Sequence, residues 1–258
     1  MLGSIIGDIV GSVFEHNNVK SKTFSFFDEN KNFTDDSILT IATAEWLLQG
    51  GNPGDYYYKW AMAYPNPMGS YGTGFQNWIH QSSNDCLAPA YNSCGNGSAM
   101  RVAPIGWFFD SVEETLSAAK KSAECTHNHP EGIKGAQAIA HAIFLARNNA
   151  TISEIKDIIT KEYDYDLSTS VNDLQENYSR DIKTEQGING ATCQGCVPQA
   201  IICALEATDF EDAIRNAISI GGDSDTIACI TGGIAEALYG IPDDIAERGF
   251  SYLEEPLR

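Results

Sequence analysis

Apolar residues recur at spacings of three and four over residues 4–15, 37–48, 113–124, 132–148, 152–162, 197–207, 210–219 and 226–238. That repeat is the mark of helices with one buried face, and it predicts an all-α fold. Between these stretches the segments 64–74 (YPNPMGSYGTG), 92–98 (NSCGNGS) and 187–195 (GINGATCQG) are dense in Gly, Asn, Pro and Ser and read as loops. The polar stretch 164–190 reads as a surface excursion, because a helical pattern resumes directly after it. No fixed-period repeat is present, and residues 1–258 are expected to form a single domain.

Within the first predicted helix, Gly3, Gly7 and Gly11 recur every fourth residue. Each glycine costs up to about 1 kcal/mol relative to alanine in a helix interior. A compensating close approach of another backbone to that stripe is therefore expected. Asp8 and Glu15 stand seven residues apart, so a helix running to residue 15 places both carboxylates on one edge, about two turns apart.

Charge narrows the partners. With 35 acidic against 16 basic residues the formal charge is -19, which repels nucleic-acid phosphates and anionic lipid over most of the surface. Nucleic acid is thus expected only as a modified substrate, and no membrane partner is expected. The opening MLGSIIGDIVGSVFE lacks a basic leader region and carries Asp8 within its apolar run, so a cytoplasmic protein is expected. The seven cysteines are odd in number and without framework spacing, and they read as reduced thiols. Cys193 and Cys196 have zinc-like spacing, but no second pair with ligand spacing accompanies them.

The candidate chemistry lies in two distant clusters. Thr34, Asp35 and Asp36 precede a helix expected to start near Ser37, and Asp223, Asp225 and Thr226 fall within GGDSDT before another. Helix capping explains one oxygen-bearing side chain at each start and leaves the remaining acids without a role. Four carboxylates and two hydroxyls are hard oxygen donors, suited to Mg²⁺, Mn²⁺ or Ca²⁺ and not to zinc. If the two helix starts meet in space, a binuclear site results.

The strings GxxxGDxxGxxxE (3–15), FTDDS (33–37), YGTG (71–74), GNGSAMRVAPIG (95–106), THNHPEG (126–132), CQGCVPQA (193–200) and DFEDAIRNAISIGGDSDT (209–226) occur in one order along nearly the whole chain. Together they resemble the ADP-ribosylglycohydrolase family, and within it the dinitrogenase reductase-activating glycohydrolases. The resemblance implies a compact multi-helix single domain with two Mg²⁺ or Mn²⁺ ions in a cleft. It matches Thr34, Asp35, Asp36, Asp223, Asp225 and Thr226 to metal ligands, and Glu15 to an acidic residue implicated in catalysis. Glu15, or a ligand carboxylate such as Asp36, is the expected proton-transfer group. By the same resemblance Tyr71, Gly72, Gly74, Gly95, Asn96, Gly97, Ser98, His127 and Ser224 border an ADP-ribose cleft. The glycines of the 95–98 segment fit this reading physically, since they let backbone N–H groups approach a diphosphate.

Tyr91 and Phe75 are candidates for stacking on adenine. Arg101 is left between pairing with a buried carboxylate and pairing with phosphate. The implied reaction is hydrolysis of the bond from the ribose anomeric carbon to an ADP-ribosylated protein or small molecule, with arginine-linked ADP-ribose favoured. Two alternatives compete with it: a metal-dependent phosphoryl or pyrophosphate hydrolase on the same site, and a non-catalytic ADP-ribose-binding relative.

Overall fold

Several helix starts in this chain are written in side chains that accept from the first turn. Asn52 accepts from the Gly54 N–H ahead of a proline at the first helical position, Thr151 and Glu154 form a reciprocal capping box, and Asp209 accepts from the Asp212 N–H. The computed structural model describes residues 1–179 and 188–258. In order these form α1 (Leu2–Gly11), α2 (Asp35–Gln49), α3 (Pro53–Ala63), α4 (Thr73–Gln81), α5 (Gly97–Met100), α6 (Ala103–Phe108) and α7 (Val112–Glu124). They continue with α8 (Pro130–Arg147), α9 (Ile152–Tyr163), α10 (Val171–Asn177), α11 (Cys193–Leu205), α12 (Phe210–Ser219), α13 (Ser224–Tyr239) and α14 (Asp243–Ser251). Among the described residues β structure is confined to three isolated bridges, so the all-α expectation holds.

One buried cluster runs through the molecule, with α1 and α13 at its centre. The glycine stripe explains their contact. A Cβ at Gly3 would stand 2.2 Å from the Gly232 carbonyl oxygen, one at Gly7 2.0 Å from that of Ala228, and one at Gly11 2.5 Å from the Asp225 Cα. No larger residue fits these positions without parting the helices, so the cost of three glycines is offset by backbone-to-backbone packing. The consequence for the site is direct, because the stripe sets Asp8 beside the first turn of α13.

The first helix is shorter than its hydrophobic pattern. Ser12 closes α1, and the Phe14 N–H bonds to the Gly11 carbonyl in a tight turn. The Val10 carbonyl, which a continuing helix would pair with Phe14, is taken by the Lys31 ammonium at 2.7 Å. Lys31 is buried over the Phe14 ring, 4.2 Å from its centroid, and burial pushes its ammonium down to about 8. Glu15 therefore sits on a turn beyond α1, and not on the helical edge it was expected to share with Asp8.

Other boundaries also moved. α2 begins at Asp35 and not near Ser37, and α11 begins at Cys193 with Pro198 in its interior. The short helices α3 to α6, α10 and α14 were missed; α5 and α6 have four and six residues, too few for a 3.6-residue repeat to show. The stretch 164–190 is more than a surface excursion: it contains α10 and buries Tyr165, Leu167, Val171, Leu174 and Tyr178, while residues 180–187 of it lie outside the described residues. All seven cysteines are unpaired, as expected. Among the described residues no helix is long and apolar enough to cross a membrane.

Candidate active site

The first turns of α2 and α13 meet beside α1. Thr34 is the N-cap of α2, its hydroxyl accepting from the Asp36 N–H at 3.2 Å. Capping thus accounts for the threonine and leaves both aspartates to the site. Asp8, fully buried on α1, grips the same turn: it accepts from the Thr34 N–H at 2.9 Å, the Thr34 hydroxyl at 2.7 Å, the Ser37 N–H at 3.1 Å and the Ser37 hydroxyl. Across the gap, the Thr226 hydroxyl donates to Asp36 Oδ2 at 3.3 Å and Asn96 Nδ2 donates to Asp223 Oδ2 at 2.7 Å.

Carboxylate oxygens of Asp8, Asp36 and Asp225 come within 4.8 Å of one another, and so do those of Glu15, Asp223 and Asp225. The two groups share Asp225. Such crowding is costly for bare anions. Burial, with repulsion from neighbouring acids, pushes the Asp36 and Asp225 carboxyls well above the ordinary carboxylate range, and burial with repulsion from Asp8 and Asp223 does the same to Asp35. Asp8 is raised only to about 6 by burial, because its four donors favour the anion.

Asp36 Oδ1 and Asp225 Oδ1 are buried and have no hydrogen-bond partner. Orphaned carboxylate oxygens facing a shared gap lined with further acids fit a hard divalent cation, which satisfies them and reverses the repulsion. Asp36, Asp223 and Asp225 are the residues best placed to hold one, with Asp8 and Glu15 completing the two groups. Asp35 is half-buried and lines the cavity, though its carboxylate belongs to neither group.

Outward from the acids runs a cavity of about 370 Å³. Glu15, Asp35, Asp36, Asp223, Asp225 and Thr226 line one end; Tyr71, Gly72, Gly74, Gly95, Asn96, Gly97 and His127 line the rest, together with Phe75 and Tyr91. Ser98 and Ser224, expected to border it, are buried outside the lining: Ser98 donates to the Gly132 carbonyl at 2.8 Å, and the Ser224 hydroxyl accepts from Asn18 Nδ2 at 3.3 Å. Helical geometry turns both into the packing side of α5 and α13. Thr34 is likewise turned toward Asp8 and Asp36 behind the lining.

The two aromatic candidates differ. Phe75 is buried and stacked on Trp78, with ring centroids 5.4 Å apart, whereas Tyr91 is half-buried and passes directly over Gly74, where a Cβ would stand 2.7 Å from its ring. Tyr91 therefore has the freer face. Sequence reasoning missed Asp8 as a member of the acid group and missed His16, Gly69 and Ser93 as lining residues. His16 Nε2 lies 3.5 Å from Glu15 Oε2, and Gly69 adopts a φ of 79° beside the same carboxylate. Adjacency to Glu15 was the available signal for His16; Gly69 and Ser93 gave none.

A family model for ADP-ribosylglycohydrolase matches residues 1–255. The chain belongs to the ADP-ribosylglycohydrolase family. Among curated proteins it is 29% identical to ADP-ribosylhydrolase ARH3 of Homo sapiens over 96% of this chain and 86% of that one. It is 28% identical to ADP-ribosylhydrolase ARH3 of Mus musculus, covering 93% and 83%. A solved structure described as an ADP-ribosylglycohydrolase-related protein complex superposes with a TM-score of 0.67 over 97% of this chain and 94% of that one, at 22% identity, and shares the fold. As a member of this family the chain is a glycohydrolase, and its substrate is an ADP-ribosylated molecule.

Proposed function

We propose that the chain releases ADP-ribose by hydrolysing the bond at the ribose anomeric carbon, on two divalent ions, Mg²⁺ or Mn²⁺, held by the acid end of the cavity. The observation that carries this reading is the sharing of Asp225 between two groups of carboxylates, each complete enough to hold an ion, which is the arrangement a bridging ligand requires. Asp36 and Asp223 would then each help to hold one of the ions, with Thr34, Asp35 and Thr226 in support.

Ions bound there supply Lewis-acid polarisation and a fixed anchor for ribose hydroxyls. The protein supplies the rest. Glycosyl transfer passes through an oxocarbenium-like state whose positive charge is favoured next to Glu15 and Asp35, both of which line the cavity. Glu15, on a turn outside the packed helices, moves the proton between water and leaving group. Tyr91 covers the adenine, and the main chain of Gly95 to Gly97 approaches the diphosphate, where the absence of side chains leaves room.

The acidic surface, with a formal charge of -19, suits a cationic target such as arginine-linked ADP-ribose, the linkage expected from the sequence. Incubation of the Mg²⁺-loaded protein with arginine-, serine- and acyl-linked ADP-ribosyl substrates tests both levels of the reading. Release of free ADP-ribose is the expected outcome, fastest from arginine. A preference for serine would overturn the linkage alone, and release of AMP would replace the reading with pyrophosphate hydrolysis. The seven unpaired cysteines support placing this activity in the cytoplasm.

A further inference from the structure

Arg101 is a buried charge that the metal end of the site does not explain. Its side chain is fully buried, and its partners are neutral: the Ser122 carbonyl at 2.7 Å, the Thr126 hydroxyl at 2.9 Å, the Cys125 sulfur at 4.0 Å and the Tyr57 ring, whose centroid is 4.1 Å away. Nε and Nη1 have no hydrogen-bond partner. Keeping an unpaired cation in the interior is costly, so a role beyond packing is called for.

The hydrogen-bond directions supply one. A guanidinium only donates, so the Thr126 oxygen must accept from Arg101. The one hydrogen of the Thr126 hydroxyl is then available to His127 Nδ1, 2.8 Å away. With Nδ1 accepting, the neutral ring carries its proton on Nε2. Nε2 faces the glycine segment: a Cβ at Gly97 would lie 3.1 Å from it and one at Gly95 3.6 Å, so these glycines keep the space before the donor clear. The Tyr91 ring meets the imidazole edge-on, with centroids 5.6 Å apart, and holds its plane. Burial and the adjacent guanidinium push the imidazole well below its ordinary pKa, in keeping with a neutral ring.

We propose that Arg101 is a positioning residue acting through Thr126: it locks His127 in the neutral Nε2–H tautomer, so that the cavity presents a donor, and neither an acceptor nor a cation, to a ligand oxygen. That the oxygen belongs to ADP-ribose rests on the function proposed above. The tautomer does not.

Long-range proton–nitrogen correlation spectra of the metal-free full-length protein, labelled with ¹⁵N-histidine, read the tautomer directly, and loss of one resonance in His127→Asn assigns it. The expected spectrum is that of Nε2–H at neutral pH. Thr126→Val should give a mixture of tautomers and weaken calorimetric ADP-ribose binding by about tenfold, the size of one lost hydrogen bond. Thr126→Ser should keep both at the wild-type level. Arg101→Met, if it folds, should raise the Nδ1–H population without touching the ring; if it does not fold, the two Thr126 variants still decide the relay. An Nδ1–H ring or an imidazolium in the wild type, or a Thr126→Val protein that binds ADP-ribose normally, overturns the proposal. Failure to hydrolyse any ADP-ribosyl bond would sink the proposed function and leave the tautomer assignment standing.

Discussion

The two ends of the cavity are built on opposite principles. At one end, helix starts and a glycine-packed helix crowd Asp8, Asp36, Asp223 and Asp225 together, leaving buried anionic oxygens without partners. At the other, glycines strip side chains away from the wall, and a buried arginine holds a neutral histidine as a donor. The acid end has buried oxygens that a cation would satisfy, whereas the glycine wall calls for none. Binding and chemistry are thereby separated in space, and substitutions at the two ends should differ in kind.

The largest effect is expected from Asp225→Asn. Removing the shared carboxylate should lower kcat on the order of 10³-fold, as loss of a key electrostatic group does. The same change relieves repulsion in the metal-free protein, so its melting temperature should rise while the stabilisation by Mn²⁺ disappears. A metal-free variant that melts lower than the wild type would break the contrast.

Next comes pH. Asp8 titrates at about 6 in the folded protein against an ordinary 3.8, so between those values the folded chain binds more protons than the unfolded one. The stability that Asp8 contributes to the metal-free protein is then fully present below about pH 4 and is lost as pH rises through about 6. Asp8 alone contributes at most about 3 kcal/mol to that fall, and the raised carboxyls of Asp35, Asp36 and Asp225 act in the same direction. Thermal melts with and without Mg²⁺ check this, since the ion should flatten the profile.

Glu15→Gln should lower turnover by about 10²-fold or more while Mg²⁺ and ADP-ribose binding persist. Loss of both bindings would make the residue structural. The smallest effect belongs to the glycine wall: Gly97→Ala places a methyl group 3.1 Å from His127 Nε2 and should weaken ADP-ribose binding by about 1 kcal/mol, with Mg²⁺ affinity unchanged.

The same contrast explains what could be read from the sequence. The acid end is written in contiguous strings, FTDDS and GGDSDT, because a helix start packs its ligands into three or four successive residues. The Gly3, Gly7, Gly11 stripe likewise announced a close helix contact. Asp8 escaped as a member of the acid group because its place depends on where α1 docks. Glu15 was placed on a helix that Lys31 ends early by taking the Val10 carbonyl, a contact 21 residues away in sequence. The relay from Arg101 through Thr126 to His127 joins two segments, and only the folded arrangement shows that Arg101, at the cavity wall, donates to a carbonyl and a hydroxyl and pairs with no carboxylate among the described residues. Ser98 and Ser224 show the converse: both lie inside motif strings, and their hydroxyls are spent on packing.

The most direct test is ADP-ribose release by metal-stripped protein as Mn²⁺ is added back, read together with the number of ions bound. Turnover should be absent at the start, rise with added ion and level off at two equivalents per chain, with Asp225→Asn inert throughout. Full turnover by the stripped protein, or a plateau reached at one equivalent, would contradict a site built around a carboxylate shared by two ions.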